Sequence, residues 1–482
     1  MFLGIDIGTS GVKAVVLDEA GVVAGQGTAA LTVQRPQPLW SEQEPEAWWL
    51  ATTAAVQAID PAVRRSVRGV GVAGQMHGAT LLGADDRVLR PAILWNDGRS
   101  HAECEELEAA ADFRGIGGNI VMPGFTAPKL AWVRRHEPDL FDQVRTVLLP
   151  KDYVRLRMTG NKASDLSDSA GTLWLDVANR RWSDELLAAT GLTDAQMPRL
   201  VEGTEITGTL RAEVAELWGM PAVPVVGGGG DNAAGAAGVG VVRDGDALLS
   251  LGTSGVIFVA TKDFRSNPGR AVHAFCHCLP GLWHQMSVHL SAASCIDWVA
   301  RLTGAAGAAD LFARAESAGP AAGPELFLPY LSGERTPHND ALVRGAFLRL
   351  DNETTPEKLA QSVLEGVAFA LADGLDALRG AGTVVNQLSV IGGGARSTYW
   401  GGILAAALEA PLVYLQGGEV GPALGAARLA QVAVDRGDPV TVCAAPPVAR
   451  TVEPDAGLVE RLAEKKQAFR DAYPRITPKK GI

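Results

Sequence analysis

The sequence predicts an α/β protein of two related halves that close on a central cleft. Three observations carry this. The hexapeptide Ile7-Gly8-Thr9-Ser10-Gly11-Val12 recurs about halfway along as Leu251-Gly252-Thr253-Ser254-Gly255-Val256. Both copies lie between apolar, β-prone runs, so each reads as strand, tight turn, strand. Elsewhere, short apolar runs ending in glycine alternate with helix-like segments, as in α/β folds.

A hairpin turn would explain either copy alone. The duplication favours two half-molecules closing on one polyphosphate. Glycine lets backbone approach a ligand, and Thr and Ser hydroxyls add donors beside the turn N–H groups. The halves are assigned to residues 1–243 and 244–482.

Composition narrows the function classes. The 482 residues are 47% hydrophobic and 20% charged, enough for two or three domains with real cores. A net charge of -11 argues against nucleic acid or an anionic membrane as the main partner. Five cysteines in so long a chain make no disulfide framework, which points to a reducing cytoplasm. No apolar run reaches the ~18–20 residues of a membrane helix. No signal-peptide pattern opens the chain.

In order, residues 2–27 read as a β-meander with a turn at Asp18-Glu19-Ala20-Gly21. Asp6 stands at the end of the first apolar strand. It is either a turn-initiating carboxylate or a ligand for Mg²⁺, directly or through water, beside phosphates. Pro45 opens a helix to about Ala58. A strand from Val67 to Ala73 runs into Gly74-Gln75-Met76-His77-Gly78, a strand-end loop where α/β proteins place ligands. The run Pro91 to Leu94 reads as a buried strand ending in Trp95-Asn96-Asp97-Gly98-Arg99, with a helix over 100–111. Trp95 is either core or an apolar wall beside Met76 and His77. Residues 115–201 are more helical and read as an insertion covering one side of the cleft.

The strand 221–226 ends in Gly227-Gly228-Gly229-Gly230-Asp231-Asn232, and a small-residue helix follows. Asp231 is either an N-cap or a carboxylate facing a ligand. His273, Cys276, His277 and Cys278 raise the question of zinc, but their spacing resembles no common zinc pattern. Buried thiols with strand-face histidines are the preferred reading. Helices are expected at 291–303, 355–378 and 398–409, and from Pro422. Gly392-Gly393-Gly394-Ala395-Arg396 follows a strand and suits the flat face and ribose of a nucleotide. The segment 454–472 is amphipathic, with Leu458, Leu462 and Phe469 on one face.

Together these features describe phosphoryl transfer, which needs positioned phosphates, a charge-neutralising metal and a base. There is no Walker A motif and no protein-kinase catalytic loop. The chain resembles the FGGY carbohydrate kinases over essentially its whole length. The carriers are Asp6-Ile7-Gly8-Thr9-Ser10-Gly11-Val12-Lys13, Gly74-Gln75-Met76-His77-Gly78, Leu94-Trp95-Asn96-Asp97-Gly98-Arg99 and Met122-Pro123-Gly124-Phe125-Thr126-Ala127-Pro128-Lys129. They continue with Gly229-Gly230-Asp231-Asn232, Tyr330-Leu331-Ser332-Gly333-Glu334-Arg335-Thr336-Pro337-His338 and Gly392-Gly393-Gly394-Ala395-Arg396.

The resemblance implies the two-domain actin/hexokinase-like (ribonuclease H-like) ATPase fold. It implies Asp231 as catalytic base and Asp6 as the supporting carboxylate, both near Mg²⁺. ATP contacts fall on Gly8, Thr9, Ser10, Lys13, Gly252, Thr253, Ser254, Gly393, Gly394 and Arg396. The Gln-Met-His triplet is similar to that of the family's xylulokinase branch, in which Met76 and His77 line the sugar site, with Trp95, Asp231 and Asn232 beside them. The implied reaction is ATP plus D-xylulose giving ADP plus D-xylulose 5-phosphate, in a cytoplasmic protein that is a homodimer by the same resemblance. The competing readings are a kinase for another pentulose or polyol, and an actin-like ATPase without a sugar acceptor. Arg349 departs from the family pattern, which has Gly there, and Lys358 stands where that pattern has an acidic or polar residue.

Overall fold

The computed structural model describes residues 1–416 and 421–477, apart from the side chain of Ala395. Among these residues the chain forms two seven-stranded sheets. The first contains β1 (Phe2–Ile7), β2 (Gly11–Leu17), β3 (Val23–Ala30), β4 (Val70–Gly74), β5 (Ile206–Thr209) and β6 (Pro224–Val226). Its order is β5-β6-β4-β1-β2-β3, with the short strand Gly229–Gly230 also beside β4. The second contains β7 (Ala247–Leu251), β8 (Gly255–Thr261), β9 (His273–Cys276), β10 (Trp283–His289), β11 (Leu388–Ile391), β12 (Leu412–Leu415) and β13 (Val448–Val452). Its order is β9-β10-β8-β7-β11-β12-β13.

The sequence repeat has a structural counterpart. In each sheet the hexapeptide turn joins two central antiparallel strands, β1 to β2 and β7 to β8. The first strand of each pair then lies parallel to a later one, β4 or β11.

The helices that matter are α1 (Pro45–Gln57), α2 (Thr126–His136), α3 (Asp231–Gly238), α4 (Pro356–Arg379), α5 (Pro422–Asp435) and α6 (Ala456–Ile476). Leu458, Leu462 and Phe469 of α6 are all buried, as the amphipathic pattern required. The apolar run before Trp95 yields only a two-residue strand, Ala92–Ile93, because its partner Glu42–Gln43 is equally short.

Helix α5 comes late in the chain yet packs on the first sheet and on α3. Backbone meets backbone there. A Cβ on Gly71 would lie 1.9 Å from the Ala426 carbonyl oxygen, and one on Gly425 would lie 1.7 Å from that of Ala234. Only glycine fits such an approach. Residues between 79 and 192 share a core with Leu248, Phe258 and Phe275 of the second half. The predicted insertion therefore covers one face of the second sheet.

Both departures from the family pattern have local consequences. Arg349 adopts a φ of 59°, in the left-handed region where glycine is unstrained. Lys358 sits three residues into α4 behind the Thr355 cap, and its Nζ donates to the Glu353 carbonyl at 2.9 Å. An acidic residue there would complete a capping box and suit the positive helix end better.

Candidate active site

Strand register brings the two key carboxylates to one end of the first sheet. Asp6 pairs across with Ala73, and Ala73 pairs on its other side with Gly229. Asp231 follows two residues later as the first residue of α3, with Gly230 as the cap. The Asp6 Oδ1 is buried and has no hydrogen-bond partner, which removes the turn-initiating reading of this residue. Burial, and then the charge of Asp231, push the Asp6 carboxyl up to about 7, while Lys13 pulls it down. Burial raises Asp231 to about 6. Its Oδ1 accepts from the Asn232 backbone N–H at 2.7 Å and the Asn232 Nδ2 at 2.9 Å. These bonds favour the ionised form and oppose the shift.

Two mutually repelling carboxylates, one with an orphaned buried oxygen, form a donor set suited to a hard divalent cation.

The second cluster surrounds His77. This residue has a φ of 69°, uncommon outside glycine and of the kind found at functional sites. Its conformation is held from several sides. The fully buried Lys129 donates from Nζ to the His77 and Gly124 carbonyls, each at 2.8 Å, and Thr126 Oγ1 adds a third bond. The His77 Nδ1 lies 2.6 Å from the Gly171 carbonyl and must donate to it. Burial first, then Lys129, lowers the imidazole to about 3, so the ring is neutral. Nε2 is left as an acceptor, with no protein partner among the described residues. Phe125 packs edge-on against the ring at 4.9 Å.

A cavity of about 190 Å³ joins the two clusters. Met76, His77, Trp95, Met122, Phe125, Asp231 and Asn232 line it from the first half, and Val256, His273, Phe275, Met286, Val288 and Arg335 from the second. Trp95 is 47% exposed, a wall rather than core. Asp97 and Arg99 pin its loop: Arg99 Nε and Nη2 grip the Asp97 carboxylate at 2.9 and 2.7 Å, and Asp97 Oδ2 accepts from the Ser41 N–H at 2.6 Å.

The phosphate-type turns are tight. Gly8 N–H donates to the Gly11 carbonyl at 3.0 Å, and Gly252 N–H to that of Ser254 at 3.1 Å. Lys13 faces Asp6 across the first hairpin. Ser250 pairs with Ile391, so the loop carrying Gly393, Gly394 and Arg396 lies beside the second turn. Ser10 ends the first turn, where its carbonyl accepts from the Leu31 N–H at 2.9 Å. The Thr253 carbonyl accepts from the Ala292 N–H and the Ser294 hydroxyl, tying the second turn to the following helix.

Sequence reasoning missed several participants. Trp95 Nε1 donates to Thr9 Oγ1 at 3.0 Å, which donates to Gln75 Oε1 at 2.9 Å. Gln75 Nε2 donates to Gln43 Oε1 at 2.9 Å, and Gln43 Nε2 returns to the Thr9 carbonyl at 2.7 Å. This closed ring ties the cavity wall to the first turn. Gln43 lies 32 residues from Gln75, and no local pattern marks it. Arg335 and Phe125 stood inside quoted motifs without a role.

The histidine–cysteine cluster is buried, and its cysteines are free. No group of three or more His, Cys, Asp or Glu among the described residues is arranged to hold a metal ion. No helix among those residues is long and apolar enough to cross a membrane.

Residues 1–238 match the N-terminal domain, and residues 247–434 the C-terminal domain, of the FGGY family of carbohydrate kinases. The chain belongs to that family. The FGGY chain is 55% identical to the xylulose kinase of Escherichia coli (strain K12) over 481 residues, covering 99% of both. It is 37% identical to that of Bacillus subtilis (strain 168) over 435 residues, 89% of this chain and 87% of the other. Among solved structures, the xylulose kinase from Rhodospirillum rubrum has a TM-score of 0.92 at 30% identity, covering 98% of each chain. Plasmodium falciparum glycerol kinase with ADP has a TM-score of 0.89 at 17% identity, covering 99% of this chain and 98% of that one, a likeness of fold. The actin/hexokinase-like expectation holds.

With His77 neutral and Nε2 free, replacing it by alanine is expected to raise the KM for sugar about tenfold. The KM for ATP should move less than twofold. Steady-state kinetics with each substrate varied checks this, and equal effects on both would sink the sugar-site role.

Proposed function

We propose that this FGGY kinase transfers the γ-phosphoryl group of ATP to the terminal primary hydroxyl of D-xylulose, giving D-xylulose 5-phosphate and ADP. One observation carries the reading. A cavity of about 190 Å³ presents a carboxylate raised to about 6 together with the free Nε2 of a neutral histidine. The choice of sugar rests on full-length similarity to xylulose kinases.

Sugar enters between Trp95, Met76 and the His77 ring, where apolar walls meet a few fixed polar groups. The His77 Nε2 accepts a hydrogen bond from a sugar hydroxyl. Asp231 accepts the proton of the attacking hydroxyl. The turns at Gly8, Thr9 and Ser10 and at Gly252, Thr253 and Ser254 hold phosphate oxygens, with Lys13 adding positive charge. Gly393, Gly394 and Arg396 take the nucleoside. Asp6 and Asp231 would hold Mg²⁺, directly or through water, and when bound it neutralises charge on the phosphates. Closing the lobes, 1–243 on 244–482, excludes water that would otherwise compete as acceptor. We place the protein in the cytoplasm, in keeping with five free thiols, and read it as a homodimer.

A coupled ADP-release assay against pentuloses, pentitols and glycerol tests the reading. D-xylulose is expected to give the highest kcat/KM. A higher value for another acceptor would replace the sugar. ADP release indifferent to every sugar would replace the kinase reading with an ATPase.

A further inference from the structure

Arg335 is a half-buried cation on the wall of the sugar cavity, and the proposed phosphoryl transfer gives it no task. It makes no salt bridge among the described residues. Its neighbour Glu334 is committed elsewhere: Glu334 Oε1 accepts from the backbone N–H of Leu290 at 3.0 Å and of Arg335 at 2.8 Å. A half-buried guanidinium with no salt-bridged carboxylate keeps donors free toward the cavity it lines, where a ligand acceptor can take them.

The side chain is nonetheless held in place. Asn119 is fixed first, because its Nδ2 donates to the Gly117 and Ala274 carbonyls, each at 2.8 Å. Asn119 Oδ1 must therefore accept, and His273 Nδ1 lies 3.2 Å from it. That sets the His273 tautomer and leaves Nε2 as an acceptor, 3.4 Å from Arg335 Nη1. The loop itself is tied to β10. Thr336 N–H donates to the Val288 carbonyl, and Val288 N–H to Thr336 Oγ1, each at 3.0 Å. Positioned donors of this kind read ligands well, because little is left to order on binding.

Position along the cavity selects the ligand atom. Arg335 lies among His77, His273 and Phe125, the ring cluster at one end. Its charge acts on both histidines, whereas the charge on Asp6 comes from Asp231. A five-carbon sugar with its terminal hydroxyl at Asp231 extends its other end toward the histidines. In a 2-ketose that end carries the carbonyl oxygen, an acceptor that cannot donate. A guanidinium is a donor that cannot accept. The neighbouring polar groups, His77 Nε2 and the Asp231 carboxylate, are acceptors suited to hydroxyls.

We propose that Arg335, held by Asn119 and His273, donates to the carbonyl oxygen of the acceptor and selects 2-ketoses over the corresponding polyols. This rests on the pentulose kinase reading. The two fail differently: the wild-type acceptor panel tests that reading, and the variants below test Arg335.

The test measures dissociation constants for D-xylulose and xylitol by calorimetry on wild type, Arg335→Met and Arg335→Lys, with ADP binding and thermal melting as controls. Arg335→Met is expected to weaken D-xylulose binding about 10- to 100-fold, the range for a lost charged hydrogen bond. Xylitol binding should change less than about threefold, so the preference for ketose collapses. Arg335→Lys, which keeps the charge and loses the fork, should fall between. His273→Asn should produce a smaller loss of the same selectivity, and it serves if Arg335→Met does not fold. Equal weakening of both ligands would overturn the proposal, leaving Arg335 a structural residue. Weakened ADP binding with unchanged sugar binding would overturn it in favour of a phosphate role.

Discussion

Asp231→Ala is expected to lower kcat for sugar phosphorylation by at least about 10³-fold, within the range for loss of a general base, while ADP binds within about twofold of wild type. The argument begins with chain geometry. Asp231 opens α3 after Gly229–Gly230, whose pairing with β4 fixes where the carboxylate emerges. Its bonds to Asn232 engage only Oδ1, and the residue lines the cavity. Burial raises it to about 6, so the base is ionised near neutrality and becomes protonated as pH falls through about 6. Wild-type kcat/KM should therefore rise with pH across that value and level off above it. Nucleotide affinity in the variant is read by calorimetry. Turnover by Asp231→Ala within tenfold of wild type would remove Asp231 as base.

The repeated turns were legible because everything that makes them is local: glycine, hydroxyl residues and flanking β-formers within a dozen positions. The same holds for α4, announced by Thr355-Pro356, and for the α6 stripe. Asp6 was legible as a position but ambiguous as a role. Only the buried, unpartnered Oδ1 argues against a turn cap. What stayed hidden was long-range. Helix α5 crosses back onto the first sheet, and the small residues that permit it looked merely helix-compatible in sequence. Gln43 joins the Thr9–Gln75 ring across 32 residues, and Arg335 is notable for making no salt bridge among the described residues although Glu334 adjoins it, which no spacing rule reveals. Resemblance supplied the sugar, since periodicity and composition cannot distinguish hydroxyl configurations.

Asp6→Asn is expected to abolish most activity and yet raise thermal stability at pH 8. The carboxyl is pushed from 3.8 to about 7, first by burial and then by Asp231. An acid whose pKa rises on folding is more readily ionised in the unfolded chain. Its penalty is absent below the unfolded pKa, grows as pH rises from about 4 to about 7, and is fully present above that. At about 1.4 kcal/mol per unit, the full penalty is about 4 kcal/mol. The amide's own unmet donors offset part of it, so a net gain of about 2 kcal/mol is expected at pH 8, falling to nothing near pH 4. Thermal melting of both proteins across that range checks the sign: a variant that melts below wild type at pH 8 would refute the electrostatic account. Divalent cation supplies the second arm. It should raise the melting temperature of wild type at pH 8, because it relieves the Asp6–Asp231 repulsion, and should raise that of Asp6→Asn much less. The same carboxylate would then explain both results, since the charge that destabilises the fold at pH 8 is the charge proposed to take up the cation with its phosphates.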